Sequence, residues 1–502
     1  MHLTTLLEMA AEGFGEHVAY GPRTGGVTYA DLLDRARRAG AWAAARRVER
    51  VGLVDVNSDV VPTLLFGASF AGLPFVPVNY RLADEQLTAI LGRTAPSVFV
   101  VEEEVAQRVG RIDGVELVAR AELLDQLHGV HPADASSTLD SSPDDIAILL
   151  FTSGTTGDPK AAVLRHRHLA SYVIATVEFM SAAEDEAALV SVPPYHVAGA
   201  SAVVTNLYAG RRVVYLPRFT PEAWVATARD EAVTQAMVVP TMLARVLDVL
   251  EREDERLPHL RHLSYGGGRM PIPVIERALE LLPHVDFVNA YGLTETSSTI
   301  AVLGPHDHRS AVAASDPVLR RRLGSVGRPL PTVEVEIRDA TGAPLPAAEP
   351  GEIWVRGEQV AGEYLGHEDP LADGWFPTQD AGLLDADGYL YLEGRIDDVI
   401  VRGAENLSPG EIEDVLARHP AVADAAVVGV PDTEWGEKVV AAVVLAEGCA
   451  VTEAELQEWV KRNLRSSKLP TRVEFREDLP YTETGKLLRR VLRDELGGRA
   501  QL

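Results

Sequence analysis

Cysteine and lysine are both scarce in this chain of 502 residues. Cys449 is the single cysteine, which excludes an intramolecular disulfide and a cysteine-rich metal site. Lysine occurs five times among 47 basic residues, so almost all of the positive charge is arginine. Lys160 and Lys486 both follow glycine-containing turns, and this placement makes them candidates for functional residues.

Basic residues are also fewer than acidic residues. The chain has 47 basic and 74 acidic residues, a formal net charge of −27. An acidic surface repels nucleic-acid phosphates and anionic lipid, so binding to nucleic acid or to a membrane surface is disfavoured. An anionic ligand would need local and specific basic contacts.

Long uninterrupted apolar runs are absent as well. The longest apolar stretch covers residues 60–78, and it is broken by Pro62, Gly67, Gly72, Pro74 and Pro77. These breakers indicate a buried helix followed by a strand rather than a membrane span. The first residues lack the basic start and apolar run of a signal peptide. We therefore expect a cytoplasmic protein with no membrane span.

The length and the distribution of apolar residues indicate an α/β protein with two or three packed units. Up to about residue 320, short apolar runs alternate with helical patterns, and several runs lead into glycine-rich or turn segments. Such runs are found at 146–151, 212–216, 236–239 and 285–289. Strands of this kind are typical of doubly wound layers, which bind ligands at the carboxyl ends of their strands.

The pattern changes after about residue 324. Short strands separated by turns predict a small antiparallel barrel or sheet over 324–393. A compact α+β pattern follows, with helices near 409–419 and 453–464. The predicted division is a large N-terminal domain of layered α/β sheets at 1–394 that includes the barrel-like subdomain, a hinge at 395–398, and a small mobile α+β domain at 399–502. A segment rich in Ser, Asp, Ala and Pro at 132–145 predicts a solvated connector.

The most specific local pattern is FTSGTTGDPK at residues 151–160. Its glycines allow backbone N–H groups to approach an anion, its hydroxyls donate hydrogen bonds, and its lysine supplies charge. The spacing is not that of a Walker A loop, and a polar surface turn is the alternative for any single loop of this type. The pattern predicts a phosphate site formed by Thr152, Ser153, Gly154, Thr155, Thr156, Gly157 and Lys160.

This segment resembles the phosphate-binding signature of the adenylate-forming superfamily, which includes acyl- and aryl-CoA synthetases, peptide-synthetase adenylation domains and luciferases. Other segments resemble the superfamily's further motifs, in the same order and over nearly the whole chain. The resemblance is closest in type to stand-alone acyl-CoA synthetases. It implies a ligase that joins a carboxylic acid to CoA through an acyl-AMP, with ATP and Mg²⁺.

The segment NAYGLTE at 289–295 resembles the superfamily's second specific motif. The resemblance implies that Tyr291 packs on adenine, that Thr294 contacts the ATP phosphates, and that Glu295 helps to hold Mg²⁺. A hard cation prefers carboxylate oxygen and takes few protein ligands when phosphates supply the rest. A Thr-Glu pair alone is more often a helix cap. Further nucleotide contacts are implied for Gly266, Gly267, Asn289, Ala290 and Gly292.

In the segment PPYHVAG at 193–199, the resemblance assigns His196 to a gate between the acyl and pantetheine channels. A structural histidine with satisfied hydrogen bonds is the alternative. His166 with His168, and His306 with His308, have the spacing of metal ligands. Neither pair has a partnering cysteine or carboxylate triad, so no transition-metal site is predicted.

The C-terminal third supplies the remaining expected functional residues. The resemblance implies that Asp380 accepts hydrogen bonds from the ribose hydroxyls and that Arg395 also reaches the ribose. Asp397 would be the hinge residue whose dihedral angles absorb a rotation of the small domain. Gly403 would line the pantetheine tunnel after that rotation. Lys486 would be the catalytic lysine, and a solvated lysine in a turn is its alternative.

Four positions depart from the superfamily's usual residues. Ala161, Gln379 and Ala404 stand where glycine is usual, and Arg269 stands where proline is common. A β-carbon at a position that needs a positive φ costs about 1 kcal/mol. These departures suggest that adenylation is slow, or that the enzyme mainly converts a supplied acyl-AMP to the thioester.

Residues and segments that the sequence lacks narrow the choice of acid substrate and of acyl acceptor. Adenylation domains for amino acids carry an aspartate where this chain has His196-Val197, and no carrier-protein segment follows. CoA is therefore the expected acceptor, with a separate acyl carrier protein as the alternative. A non-catalytic nucleotide-binding scaffold is disfavoured because the charged motif residues are all present. The segments expected to line the acyl pocket carry no lysine or arginine, which predicts a hydrophobic monocarboxylic acid. These segments are 191–199, 236–242, 265–268 and 290–300.

Overall fold

A computed structural model of the chain describes residues 1–131, 141–152, 159–367, 370–402, 405–433, 435–481 and 487–498. The strands, numbered along the chain, are β1 (Val18–Tyr20), β2 (Val27–Thr28), β3 (Arg50–Val54), β4 (Phe75–Pro77), β5 (Ser97–Val101), β6 (Val115–Ala119), β7 (Ile146–Thr152), β8 (Lys160–Arg165), β9 (Ala187–Val190), β10 (Arg212–Tyr215), β11 (Gln235–Val238), β12 (His262–Gly266), β13 (Asp286–Leu293), β14 (Ser298–Leu303), β15 (Arg328–Pro329), β16 (Val333–Arg338), β17 (Gly351–Gly357), β18 (Glu363–Tyr364), β19 (Phe376–Leu384), β20 (Leu390–Arg395), β21 (Ile400–Arg402), β22 (Glu405–Leu407), β23 (Val422–Asp432), β24 (Gly436–Leu445) and β25 (Arg472–Arg476).

The helices, numbered in the same way, are α1 (Leu3–Phe14), α2 (Tyr29–Ala44), α3 (Val60–Phe70), α4 (Asp84–Arg93), α5 (Glu103–Val109), α6 (Arg120–His128), α7 (His166–Thr176), α8 (Val197–Ala209), α9 (Pro221–Asp230), α10 (Pro240–Arg252), α11 (Ile272–Leu281), α12 (Pro305–Ala313), α13 (Pro317–Arg321), α14 (Pro409–Ala417), α15 (Glu453–Asn463) and α16 (Arg489–Gly498). Short 3₁₀ turns at Thr294–Thr296 and Ile396–Asp398 occur in two of the predicted motifs.

Two mainly parallel sheets form the large domain. The first has nine strands in the order β15-β14-β13-β12-β11-β9-β10-β1-β2, with parallel pairing from β13 to β1 and antiparallel strands at its edges. The second has seven strands in the order β18-β8-β7-β4-β3-β5-β6. One buried cluster contains side chains of both sheets and of the helices, including Val51, Val213, Trp42 and Phe66. This arrangement confirms the predicted layered α/β class.

The apolar stretch at 60–78 forms a buried helix, α3, followed by the strand β4, as its breakers predict. Every residue of α3 is buried. A helix that is apolar on all sides is stable only inside a core, which explains why this stretch resembles a membrane span in composition alone. Within the described residues, none of the helices has both the length and the apolar character that crossing a bilayer requires.

The strand that leads into the predicted phosphate loop differs from the doubly wound pattern in one respect. Strand β7 does not continue into a helix, because its loop joins it to the antiparallel strand β8. The core of β8 is the apolar run Ala161–Leu164, which is buried on the sheet. A second apolar run directly after the loop therefore makes a hairpin, with Thr152 opposite Lys160.

The region of short strands forms a four-stranded antiparallel sheet in the order β16-β17-β19-β20. Of the two predicted forms for 324–393, a barrel or a sheet, the structure has a sheet. Its strands extend from Val333 to Arg395. Strands β15 and β18 lie within the same part of the chain but pair with the two large sheets. These two strands thus join the small sheet to the rest of the large domain.

The C-terminal part has its own sheet and its own buried clusters. Its strands have the order β22-β21-β24-β23, and β25 pairs parallel to β24. Helices α14 and α15 bury Ile412, Leu416 and Leu456 against this sheet. The helices predicted near 409–419 and 453–464 are present as α14 and α15.

Candidate active site

The segments expected to line the acyl pocket lie at one edge of the nine-stranded sheet. They follow or overlap the carboxyl ends of β9, β11, β12 and β13, which are neighbours in the sheet. Parallel strands bring their carboxyl ends to the same edge, where ligands of open α/β sheets bind. Four segments spread over residues 191–300 of the sequence therefore meet at one place.

The glycine segment 266–268 follows β12 at this edge. A β-carbon on Gly266 would lie 2.2 Å from the carbonyl oxygen of Ala290 on the neighbouring strand, and Gly267 has a φ of +77°. Both positions therefore require glycine for reasons of packing and backbone conformation. A β-carbon on Gly267 would be 3.5 Å from Val239, and one on Gly268 would be 3.8 Å from Pro240. The segment thus borders an apolar surface formed by the residues that follow β11.

The predicted phosphate loop has its two ends in the hairpin of β7 and β8. Thr152 donates from Oγ1 to the carbonyl of Lys160 at 3.4 Å. The residues Ser153, Gly154, Thr155, Thr156 and Gly157 lie outside the described part of the chain. Ala161, where glycine is usual in the superfamily, pairs with Phe151 in the regular ladder of this hairpin. Its φ is not in the left-handed region, so an alanine causes no backbone strain here.

Glu295, the expected Mg²⁺ ligand, is held by residues that are distant in sequence. Its backbone carbonyl accepts hydrogen bonds from the amides of Ala361 and Gly362, at 2.8 and 3.0 Å. Its side-chain Oε1 accepts a hydrogen bond from the hydroxyl of Tyr364. The residue is only 9% exposed. Main-chain and side-chain contacts thus fix this carboxylate at the end of β13.

Tyr364 also connects Glu295 to the lysine of the predicted phosphate loop. The Nζ atom of Lys160 lies 5.6 Å from the centre of the Tyr364 ring. Strand β18 pairs with β8, and Arg165 and Glu363 form a two-pronged ion pair at 2.7 and 2.9 Å beside that pairing. Burial and the neighbouring carboxylate of Glu295 raise the pKa of Tyr364, so its hydroxyl stays protonated and donates.

The contact of Tyr364 with Glu295 is not apparent from the sequence. The sequence feature that could have drawn attention to Tyr364 is its place in the segment GEYLG, shortly after the apolar residues 360–361. Nothing in that segment alone indicates that it pairs with a strand some 200 residues earlier. The role of Tyr364 therefore follows only from the sheet topology.

The expected ribose residues form a second cluster. Asp380 on β19 and Arg395 on β20 are cross-strand partners, and their side chains are 2.9 Å apart. The hydroxyl of Tyr291 donates to the other carboxylate oxygen of Asp380 at 2.6 Å. Arg395 also donates to the carbonyl of Thr378 at 3.0 Å. Three of the predicted nucleotide residues, from three strands, are thus in direct contact.

The electrostatics of this cluster favour the charged form of Arg395 and the protonated form of Tyr291. Burial alone disfavours the charge of Arg395, but the adjacent carboxylate of Asp380 outweighs it and raises the pKa of the guanidinium. Burial, reinforced by Asp380, raises the pKa of Tyr291 well above its ordinary value. The tyrosine therefore acts as a hydrogen-bond donor, and the pair is a preformed polar surface.

Gln379 adopts a left-handed conformation, with a φ of +62°. This is the position where the superfamily usually has glycine. The amide of Gln379 donates to Glu352 at 3.2 Å, and Thr378 donates to the carbonyl of Ile353 at 2.8 Å. These contacts hold the strained residue in place beside Asp380. Of the three residues that replace glycine, Gln379 thus has a β-carbon at a positive φ, Ala161 is unstrained, and Ala404 lies outside the described residues.

His196 precedes α8 at the edge where the acyl-pocket segments meet. Its ring lies 4.7 Å from that of Tyr195. Burial lowers the pKa of His196 to about 4, so the ring is neutral at pH 7. A neutral, partly buried imidazole fits both a gate residue and a structural histidine.

The hinge and the small domain carry the remaining predicted residues. Asp397 is exposed in the turn Ile396–Asp398, and its carbonyl accepts a hydrogen bond from Arg493 of α16 at 2.8 Å. Gly403 and Lys486 lie outside the described residues. Tyr481 and Leu487, on either side of the Lys486 segment, form a bridge with each other. This bridge brings together the two described residues that flank the segment.

The histidines with the spacing of metal ligands contact other side chains and the backbone. His166 and His168 are buried at the start of α7, and the ring of His166 stacks on His2 with centroids 3.5 Å apart. His308 bonds to the hydroxyl of Tyr265 and to the carbonyl of Gly304, both at 2.8 Å. Within the described ranges, no group of three or more metal-binding side chains occurs.

Comparison with known proteins places this architecture in a family. Residues 7–365 match the family described as AMP-binding enzyme, and residues 411–486 match its C-terminal domain. The chain is 34% identical over 461 residues to the fatty acid–[acyl-carrier-protein] ligase ScoC of Streptomyces coeruleorubidus, covering 90% of this chain and 87% of that one. It is 34% identical over 486 residues to a feruloyl-CoA synthase of an Amycolatopsis species, covering 94% of each. The crystal structure of ATP-bound MatB from Rhodopseudomonas palustris has a TM-score of 0.86 and 28% identity, and covers 99% of each chain.

The layered large domain, the small C-terminal domain and the order of the motifs are those of an adenylate-forming enzyme. The match over residues 7–365 spans more than half of the chain, which therefore belongs to the AMP-binding enzyme family. It is an AMP-forming acid–thiol ligase of the acid–CoA ligase group, whose enzymes use ATP and CoA. The predicted superfamily, fold class and enzyme type are confirmed.

Proposed function

We propose that this enzyme activates a hydrophobic monocarboxylic acid with Mg·ATP as an acyl-AMP and transfers the acyl group to CoA. The observation that carries the proposal is the contact between Glu295, Tyr364 and Lys160. It brings a buried carboxylate at the end of β13 to the lysine of the predicted phosphate loop. A site for a nucleoside triphosphate needs both a carboxylate and a lysine, because the carboxylate binds the metal ion and the lysine binds the phosphates.

In the first half-reaction, an oxygen of the substrate carboxylate attacks the α-phosphorus of ATP. A new C–O–P linkage forms, the bond to the β-phosphate breaks, and pyrophosphate leaves. Lys160 and the loop before it hold the departing pyrophosphate, and Lys486 stabilises the charge on phosphorus and brings the two anions together. Asp380 and Arg395, with Tyr291 beside them, bind the nucleoside part.

The residues present fit a magnesium ion. Oε1 of Glu295 is engaged by Tyr364, whereas its second carboxylate oxygen has no side-chain partner in the part of the chain that the structure describes. A single free carboxylate oxygen suits Mg²⁺ when triphosphate oxygens supply its other ligands. When bound, the ion would neutralise negative charge on the phosphates.

In the second half-reaction, the small domain turns about Asp397, removes Lys486 and presents Gly403. The CoA thiol releases its proton to water, and its sulfur attacks the acyl carbonyl carbon. The bond between that carbon and the phosphate oxygen breaks, so AMP leaves and the thioester remains. His196, the residue directly before α8, acts as the gate between the acyl and pantetheine channels.

The acid class follows from the pocket-lining segments. The strand ends that carry them are adjacent in the sheet, and Val239, Met242 and Tyr265 are buried beside the glycine segment. No lysine or arginine occurs in any of these segments, so a second carboxylate would have no charged partner there. A monocarboxylic acid with an apolar body is the substrate that matches this lining.

The acceptor has a second candidate, a separate acyl carrier protein. It is favoured by the similarity to a ligase whose name specifies an acyl-carrier-protein acceptor. Loss of the adenylation step is less favoured than the sequence alone suggests. Ala161 is unstrained, and Gln379 holds its left-handed conformation through hydrogen bonds that leave Asp380 in contact with Arg395.

The test is ATP–pyrophosphate exchange with a panel of fatty, hydroxycinnamic and dicarboxylic acids, followed by thioester assays with CoA and with a holo carrier protein. We expect exchange with apolar monocarboxylic acids and thioester formation with CoA. Lys486→Ala should lower exchange by about 100-fold or more and leave thioester formation from synthetic acyl-AMP intact. Lys461→Ala, an exposed lysine beside Glu458, is the matched control. Exchange only with dicarboxylates would refute the pocket assignment, and thioester formed only on the carrier protein would refute CoA as acceptor.

A further inference from the structure

An ion pair links the glycine segment of the large domain to the small domain. Arg269 follows Gly266-Gly267-Gly268 directly, and its guanidinium Nη2 donates to the carboxylate of Asp414. Asp414 lies in α14, the first helix of the small domain. The contact therefore joins the segment expected to border adenine and the acyl chain to the domain that carries Lys486.

Gly410 makes room for this contact. A β-carbon at position 410 would lie 1.6 Å from Nη1 of Arg269. The guanidinium thus packs on the bare backbone of α14, one turn before Asp414. Glycine is a poor helix former, and its presence inside α14 is explained by this close approach. Arg269 stands where proline is common in the superfamily, and proline could not make either contact.

The pair is more than a solvated surface contact. The side chains of Arg269 and Asp414 are 38% and 21% exposed. Burial raises the pKa of Asp414, and the positive charge of Arg269 opposes this shift. Exposed ion pairs contribute little to stability, but a half-buried carboxylate that loses its partner is left poorly solvated. Separation of the two domains along this contact therefore has a free-energy cost.

We infer that Arg269 and Asp414 are positioning residues that hold the small domain in the arrangement of this structure, and that Gly410 leaves room for their contact. The inference rests on the proposed function, in which the two half-reactions need different arrangements of the small domain. One arrangement can serve only one of them, so a contact that favours one arrangement sets the ratio of the two rates. Because Arg269 adjoins the ligand-bordering glycines, the contact also links that segment to the domain position.

The experiment compares the wild type with Asp414→Asn, Arg269→Ala, the double variant and Gly410→Ala. Gly410→Ala is informative because alanine favours the helix while its methyl group displaces the guanidinium. Gly497→Ala is the matched control, since a β-carbon there meets its nearest atom at 4.0 Å. For each variant, acyl-AMP formation and thioester formation from synthetic acyl-AMP are measured separately, and their ratio is taken.

We expect Asp414→Asn, Arg269→Ala and Gly410→Ala to shift this ratio in the same direction, by about threefold or more. The double variant should match the single variants, because all of them break one contact. Gly497→Ala should leave the ratio unchanged. An unchanged ratio in Asp414→Asn and Gly410→Ala would overturn the inference, as would additive effects in the double variant.

Hydrogen exchange separates this outcome from a failure of the proposed function. Amides in 266–270 and 409–417 should exchange faster in Asp414→Asn and Gly410→Ala than in the wild type or Gly497→Ala. If the wild type catalyses neither half-reaction but exchange responds in this way, the proposed function fails and the positioning role stands. If neither segment responds, the positioning role is refuted whatever the activity.

Discussion

Replacing Tyr364 by phenylalanine tests the centre of the site, because it removes one hydroxyl and little else. The hydroxyl donates to Oε1 of Glu295, whereas the backbone of Glu295 is held independently by the amides of Ala361 and Gly362. The phenylalanine ring keeps its position 5.6 Å from Lys160. The variant therefore isolates the orientation of one carboxylate.

The magnitude follows from the type of bond. A hydrogen bond to a charged group contributes about 1.5–3 kcal/mol, and about 1.4 kcal/mol corresponds to a factor of ten in rate. Glu295 is 9% exposed, so water replaces the lost donor poorly. We expect kcat/KM for pyrophosphate exchange to fall by about 10- to 100-fold, with a higher Mg²⁺ requirement.

Two measurements make the result specific. Thioester formation from synthetic acyl-AMP involves no pyrophosphate, so it should change less than about twofold. Tyr389→Phe is the matched control, because Tyr389 donates to Asp307 at 2.7 Å in a tyrosine–carboxylate pair outside the site. Exchange in Tyr364→Phe that stays within about twofold of the Tyr389→Phe value would show that this hydroxyl does not orient the carboxylate of Glu295 for catalysis. Equal loss of both half-reactions would point to general damage instead.

Three further predictions concern backbone strain, charge and pH. Gln379→Gly relieves the strain of a φ of +62° but increases the conformational entropy of the unfolded chain. The free energy of unfolding should therefore rise by at most about 1 kcal/mol. A lower melting temperature than that of the wild type would contradict this. Asp380→Asn removes the charge that pairs with Arg395, so the KM for ATP should rise by about tenfold, and an unchanged KM would show that the pair is not at the nucleotide. His166 has its pKa lowered to about 3 by burial, so its stabilisation is complete above the unfolded value of 6.5. It should be lost as the pH falls, by on the order of 3 kcal/mol at pH 4, and melts of His166→Gln should show a shallower pH dependence.

Local patterns predicted the fold class and the family, both of which are confirmed, and they also supplied the candidate site residues. The segment from Phe151 to Lys160 and the segment NAYGLTE combine glycines, hydroxyls and charges in an order that a polar surface turn has no reason to contain. The breakers in the stretch 60–78 distinguished a buried helix and strand from a membrane span. Such features depend on residues close together in the chain, so they can be interpreted without a structure.

The sequence shows which residues replace a usual glycine, but it does not show which of these residues strain the backbone. Three substitutions of glycine looked equivalent in sequence, yet Ala161 lies in a regular strand ladder and Gln379 has a positive φ. The cost of a β-carbon depends on the backbone conformation, which is set by the neighbouring strands rather than by the motif.

Contacts between segments that are distant in sequence follow from the folded arrangement of the chain. Tyr364 reaches Glu295 because β18 pairs with β8, and Arg269 reaches Asp414 because Gly410 leaves room on α14. Neither contact has a signal in the residues next to it, since each needs a strand pairing or a domain placement that spans more than a hundred residues. The amino-acid sequence shows which chemical groups are available. Which of these groups touch one another depends on the packing of the folded chain, because proximity between distant residues is a property of packing.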